Sequence, residues 1–191
     1  MKGEYIMNIV GSKRMKSTIL VVILSTFLLL TGCTLNEELD TSDTESYILS
    51  NYGKYEVLDG WIKNKEHSTD DKQFYIKEED SNNSRPNNIS VNGGTNKYSK
   101  DQHTLFRQSI MNQLSMQTKG TGAIINGSGS TTDNGDILYT FTVTDATSIT
   151  TQYYIVGDYK YFLVHETTFT DETEEADECA KYIVNTFKWN E

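Results

Sequence analysis

The chain has 191 residues, with 17 Lys and Arg against 27 Asp and Glu, and a formal net charge of −10 at neutral pH. Phosphate backbones and anionic lipid headgroups repel such a surface, which excludes a nucleic-acid partner and membrane binding through a basic face.

The first informative element is N-terminal. Lys13, Arg14 and Lys16 form a basic region, and Ile19 to Leu30 is apolar apart from Ser25 and Thr26. These 12 residues would span only about 18 Å as a helix, against about 30 Å of bilayer hydrocarbon. The pattern is that of a cleaved export signal, and Met15 is a second candidate start. Leu30-Thr31-Gly32-Cys33 closes it in the form of a bacterial lipobox. Small residues at 31 and 32 let a peptidase approach, and the Cys33 thiol supplies the nucleophile that takes up lipid. The expectation is a signal peptide over residues 1–32 and a diacylglyceryl and N-acyl lipid on Cys33, holding the protein on the extracytoplasmic face of the cell membrane. Two acyl chains, at about 0.8 kcal/mol per buried methylene, anchor far more firmly than one. No other cofactor is expected.

Residues 1–32 hold four basic side chains (Lys2, Lys13, Arg14, Lys16) and one acid (Glu4), so the remainder carries 13 basic and 26 acidic groups, a net of −13. Residues 33–46 comprise the lipidated Cys and an acidic tether with Glu37, Glu38, Asp40, Asp43 and Glu45. Its roughly 13 flexible residues reach about 20 Å. Residues 47–191 are enough for one domain with a core of its own.

Within that domain, Tyr55–Leu58, Phe74–Lys77 and Asn88–Val91 read as short strands. Ser99-Lys100-Asp101-Gln102 has the form of a capping box. Behind it Phe106, Ile110 and Leu114, with Leu105 and Met111 alongside, define an amphipathic helix ending near Gly120. The glycines of Gly120-Thr121-Gly122 and Gly127-Ser128-Gly129 read as turns and a flexible connection. After Asn134-Gly135, strict alternation through Ile137, Tyr139, Phe141 and Val143 predicts a strand. Thr150–Val156 and Tyr159–Phe169 follow as strands around Gly157-Asp158, with Gly157 expected at positive φ. Thr170 or Asp171 caps a last helix whose apolar face is Ala176, Cys179, Ala180, Ile183 and Phe187, its first turn rich in Glu172, Glu174 and Glu175. The fold class is α+β: a mainly antiparallel sheet with a central and a C-terminal helix packed on it.

This order of elements, with Gly60-Trp61 after the early strands and Ile183-Val184-Asn185-Thr186-Phe187-Lys188-Trp189 closing the last helix, resembles the PsbP-like family. The resemblance implies an α/β/α-type sandwich over residues 47–191. It also implies a domain that binds or assists a partner at a membrane face without a reaction of its own. Plant members are extrinsic subunits that help a photosystem retain its ions, and many bacterial members are lipoproteins. No metal site or photosynthetic role carries over to these residues.

The search for chemistry is short. Of the three histidines, His67, His103 and His165, none sits in a nucleophile motif, and there is no G-x-S-x-G. Alternation puts His165 and Glu166 on opposite faces of a strand. His103 and Arg107 lie one turn apart, on the wet face of their helix. Cys179 has no intramolecular partner once Cys33 is a thioether, and its neighbours make it a small buried hydrophobe. Glu66, His67, Asp70 and Asp71 gather three acids and an imidazole and are weak candidates for a hard cation. Trp61 and Trp189 read as core or core-edge residues. Tyr153, Tyr154, Tyr159 and Tyr161 cluster at one hairpin and form a candidate interface, with one of Tyr153 and Tyr154 turned to solvent. The reading is a lipid-anchored binding or accessory domain for a cell-envelope protein or ligand. The alternatives are a metal-dependent envelope enzyme or factor, and an inhibitor of a basic target.

Overall fold

The computed structural model describes residues 46–49, 51–169 and 173–190. The leader, Cys33, the tether up to residue 45, and Thr170, Asp171 and Glu172 lie outside the described residues. The acidic segment gives way to strand β1 (Ser46–Leu49), which pairs antiparallel with β2 (Gly53–Glu56). β3 (Trp61–Lys63), β4 (Lys72–Lys77) and β5 (Asn88–Thr95) follow, then helix α1 (His103–Gln117). Next come β6 (Ile124–Thr131), β7 (Ile137–Thr144), β8 (Ile149–Val156) and β9 (Lys160–Thr168). α2 (Glu174–Thr186) and the short β10 (Lys188–Trp189) close the chain, β10 pairing with β2.

The large sheet has seven antiparallel strands in the order β3-β4-β5-β9-β8-β7-β6, and β1-β2-β10 is a second, three-stranded sheet. Both faces of the central strands of the large sheet are buried. On one, α2 seats Ala176, Cys179, Ala180, Ile183 and Val184 in a cluster with Tyr55, Tyr75, Val91, Tyr153, Phe162 and Val164. On the other, α1 lays Phe106 and Leu114 against Tyr139, Phe141, Tyr154 and Leu163. The α+β class, the antiparallel sheet and the two packed helices are those expected from periodicity.

Burial on both faces overturns one expectation directly. Tyr153 and Tyr154 do face opposite ways, but each is only 4% exposed, because each face has its own helix. Of the four hairpin tyrosines only Tyr159 stands in solvent, and Tyr161 is half-buried.

Other departures are local. The segment with Gly127-Ser128-Gly129 is strand β6, not a flexible connection: it pairs residue for residue with β7, and a Cβ on Gly127 would press on Met111 and Phe141. Glycine there lets the edge strand pass under α1. At the β8–β9 turn the residue with positive φ is Tyr159 (55°), not Gly157. Gly157 is there for closeness, since a Cβ would stand 3.1 Å from the Trp189 ring. The α2 N-cap is Thr173, leaving Glu174, Glu175 and Asp177 in the first turn. Leu105 is exposed, while Gln102 accepts the Ser99 backbone N–H at 3.3 Å, as the capping box requires. Trp61 is buried and Trp189 half-buried, as expected of core and core-edge positions.

Candidate binding cleft

The connection from β3 to β4 is tied to itself by short polar side chains. The Asn64 carboxamide oxygen accepts the N–H groups of Glu66 (3.0 Å) and His67 (3.2 Å), and Ser68 Oγ donates to the Asn64 carbonyl while accepting the Phe74 N–H. Such Asx-type bonds replace ladder bonds and hold the loop to one shape. From β4 to β5 the chain makes a helical turn at Glu78–Asp80 and returns through Pro86; Asn83 and Asn88 bond backbone groups on either side of Arg85 and Pro86. Asn87 Oδ1 accepts the Phe169 N–H at 2.8 Å, docking the end of β9 onto this loop.

The two loops and Phe169 enclose an open cleft of about 380 Å³ over the sheet at β4 and β5. Its apolar wall is Ile76, buried, with Phe74, Pro86 and Phe169 half-buried. His67 meets the Phe74 ring edge-on at 5.4 Å. The Arg85 guanidinium lies 4.1 Å from the centre of the Phe169 ring and forms no ion pair among the described residues. Arg85 was not singled out in the sequence. Its only signal there is the neighbouring Pro86, and the partner Phe169 is 84 positions away.

The structure therefore places Glu66 and His67 on the cleft and leaves Asp70 and Asp71 on the exposed turn before β4. Among the described residues no three of the His, Cys, Asp and Glu side chains converge as metal ligands would. His103 is not simply on a wet face: it is half-buried, with Nδ1 2.7 Å from the Tyr139 hydroxyl and Arg107 above the same ring.

A second polar cluster lies inside, under α2. Glu166 on β9 is 4% exposed, and the Tyr153 hydroxyl stands 3.3 Å from Glu166 Oε2 and 2.7 Å from Asp177 Oδ1. Lys181 holds the other Asp177 oxygen at 2.6 Å. A phenol has one proton to donate. Given to Asp177 at the shorter distance, it leaves the Tyr153 oxygen as an acceptor, so the Glu166 contact is bonding only when Glu166 carries its own proton. Burial, with Asp177 adding to it, pushes the Glu166 carboxyl up to about 7. Burial likewise pushes the Cys179 thiol up to about 12, as an inert core sulfur requires. On the opposite face, burial and Lys72 bring the His165 imidazole down to about 4.

No protein-family model matches the sequence, and no curated protein matches it. Among solved structures the chain is similar to the solution structure of cyanobacterial PsbP (CyanoP) from Synechocystis sp. PCC 6803. The TM-score is 0.55 at 15% sequence identity, over 84% of this chain and 99% of that one. The fold is PsbP-like. A likeness at this identity speaks for backbone architecture, the sandwich of helices on an antiparallel sheet. The cleft residues of this PsbP-like domain are described by its own side chains. Among the described residues no helix is long and apolar enough to cross a membrane.

Proposed function

We propose that the protein is a lipid-anchored extracytoplasmic binding domain, with residues 1–32 removed as a signal peptide, Cys33 acylated, and residues 34–46 spacing a head of residues 47–191 from the membrane. The head engages a cell-envelope protein or ligand and carries out no reaction of its own. The observation that carries the binding role is the cleft, in which a guanidinium with no ion pair among the described residues, several amide groups and four apolar side chains meet at an open surface. The anchor rests on Leu30-Thr31-Gly32-Cys33 behind its apolar run, and the PsbP-like fold suits an accessory role at a membrane face.

Intact-mass measurement of the protein from its native membranes tests the anchor. The expected product begins at Cys33 and carries the mass of its acyl chains, and Cys33→Ser is expected to leave the leader attached. An unmodified thiol at position 33 in the native product refutes the anchor.

A further inference from the structure

We infer that the cleft is a site for a small, flat monocarboxylate, with Arg85 as its anion-binding group. The inference rests on the binding role proposed above and names the ligand class. The Arg85 guanidinium carbon lies over the Phe169 ring, 4.1 Å from its centre, and the donors of a guanidinium lie in its own plane, where a carboxylate can take two of them at once. Among the described residues no acid takes that place. The ring also holds the guanidinium in position, which lowers the ordering cost of binding.

Three observations set the ligand's shape and charge. Within a lining that is otherwise polar, Phe74, Ile76, Pro86 and Phe169 supply the apolar contact that a planar body can use. The volume of about 380 Å³ lies at the low end for ligand sites, which favours one ring over a nucleotide or a folded partner. The lining holds one guanidinium against one carboxylate, Glu66, on a chain of net charge −10. A second negative charge on the ligand would meet repulsion without a second cation to offset it.

The chain has three arginines, Arg14, Arg85 and Arg107, so the mature protein labelled with ¹⁵N-arginine shows two side-chain Nε–H signals. Arg107, above the Tyr139 ring at 5.8 Å, is the internal control. The mature protein, extracted in non-ionic detergent, is titrated with sodium benzoate, with inorganic phosphate and benzyl alcohol in parallel. The expected result is a saturable shift of the Arg85 signal with benzoate while Arg107 stays in place. Phosphate and benzyl alcohol are expected to bind about tenfold more weakly, the scale of a charge-assisted hydrogen bond. Arg85→Gln, at an exposed position, is expected to keep the parent's unfolding midpoint and to abolish saturation transfer to benzoate. No Arg85 shift at tens of millimolar benzoate overturns the inference, as do equal shifts at Arg107, phosphate binding as tight as benzoate, or full binding by Arg85→Gln. Loss of the lipid anchor would leave the titration unchanged, so the two failures are distinguishable.

Discussion

Replacing Phe187 with Ala is expected to cost about 3–5 kcal/mol of folding stability, the range for removing a buried aromatic. Phe187 is 1% exposed and follows the last turn of α2, its N–H bonded to the Ile183 carbonyl at 3.1 Å. Its ring stacks on Phe162 of the large sheet at 3.7 Å and 19°, and meets Trp189 edge-on at 4.8 Å. On its other side is β2, where a Cβ at Gly53 would collide with the Phe187 ring and the Lys188 carbonyl. One side chain thus joins α2, the large sheet and the three-stranded sheet, and its loss leaves a cavity that rigid strands cannot close. Phe187→Leu keeps most of the volume and is expected to cost less than about 1.5 kcal/mol. Denaturant unfolding of both variants decides the matter; an Ala variant within 1 kcal/mol of the parent would show that the two sheets do not depend on this ring.

The second large effect is on pH dependence. Glu166 holds its proton up to about pH 7 when folded, against an ordinary value of 4.5. Between those values the folded chain keeps a proton that the unfolded chain has released, so stability falls as pH rises, by about 3 kcal/mol in all. His165 acts in the other direction. Its folded value is about 4 against 6.5, so the unfolded chain holds the extra proton and stability rises by about 3 kcal/mol between these values. The two contributions offset one another between about pH 4.5 and 6.5. Glu166→Gln removes one of them while its amide still donates to Tyr153. The variant is expected to match the parent near pH 4, to gain stability as pH rises to 6.5, and to exceed the parent by about 3 kcal/mol at pH 8. Unfolding midpoints measured from pH 4 to 8 provide the check. Parallel profiles for the two proteins would mean that Glu166 is ionised in the fold at neutral pH.

Much of the fold was legible because alternation and helical spacing are local. Ile137 to Val143 must be a strand with one apolar face, and Ala176, Cys179, Ala180 and Ile183 must be one side of a helix. The rest was hidden for identifiable reasons. β6 has a sequence of Ile, Asn, Gly, Ser and Thr with no apolar period, and is a strand only because β7 offers it a partner. Tyr153 and Tyr154 could not be placed from alternation, which separates two faces without saying that both are covered. Glu166 stood next to His165 in the chain, but its working neighbours are Tyr153, 13 residues back, and Asp177, on another element.

The cleft shows the same division. Glu66 and His67 drew notice by composition, yet the group that gives the site its charge is Arg85, held by a ring from the far end of β9. What the sequence determined alone was whatever acts within a few residues: the α+β class, the alternation of the central strands, and the apolar face of the last helix. What only tertiary structure decided was the order of strands, the double covering of the sheet, the proton on Glu166 and the pairing of Arg85 with Phe169. Each depends on groups distant in the chain, and no local pattern records which of them meet.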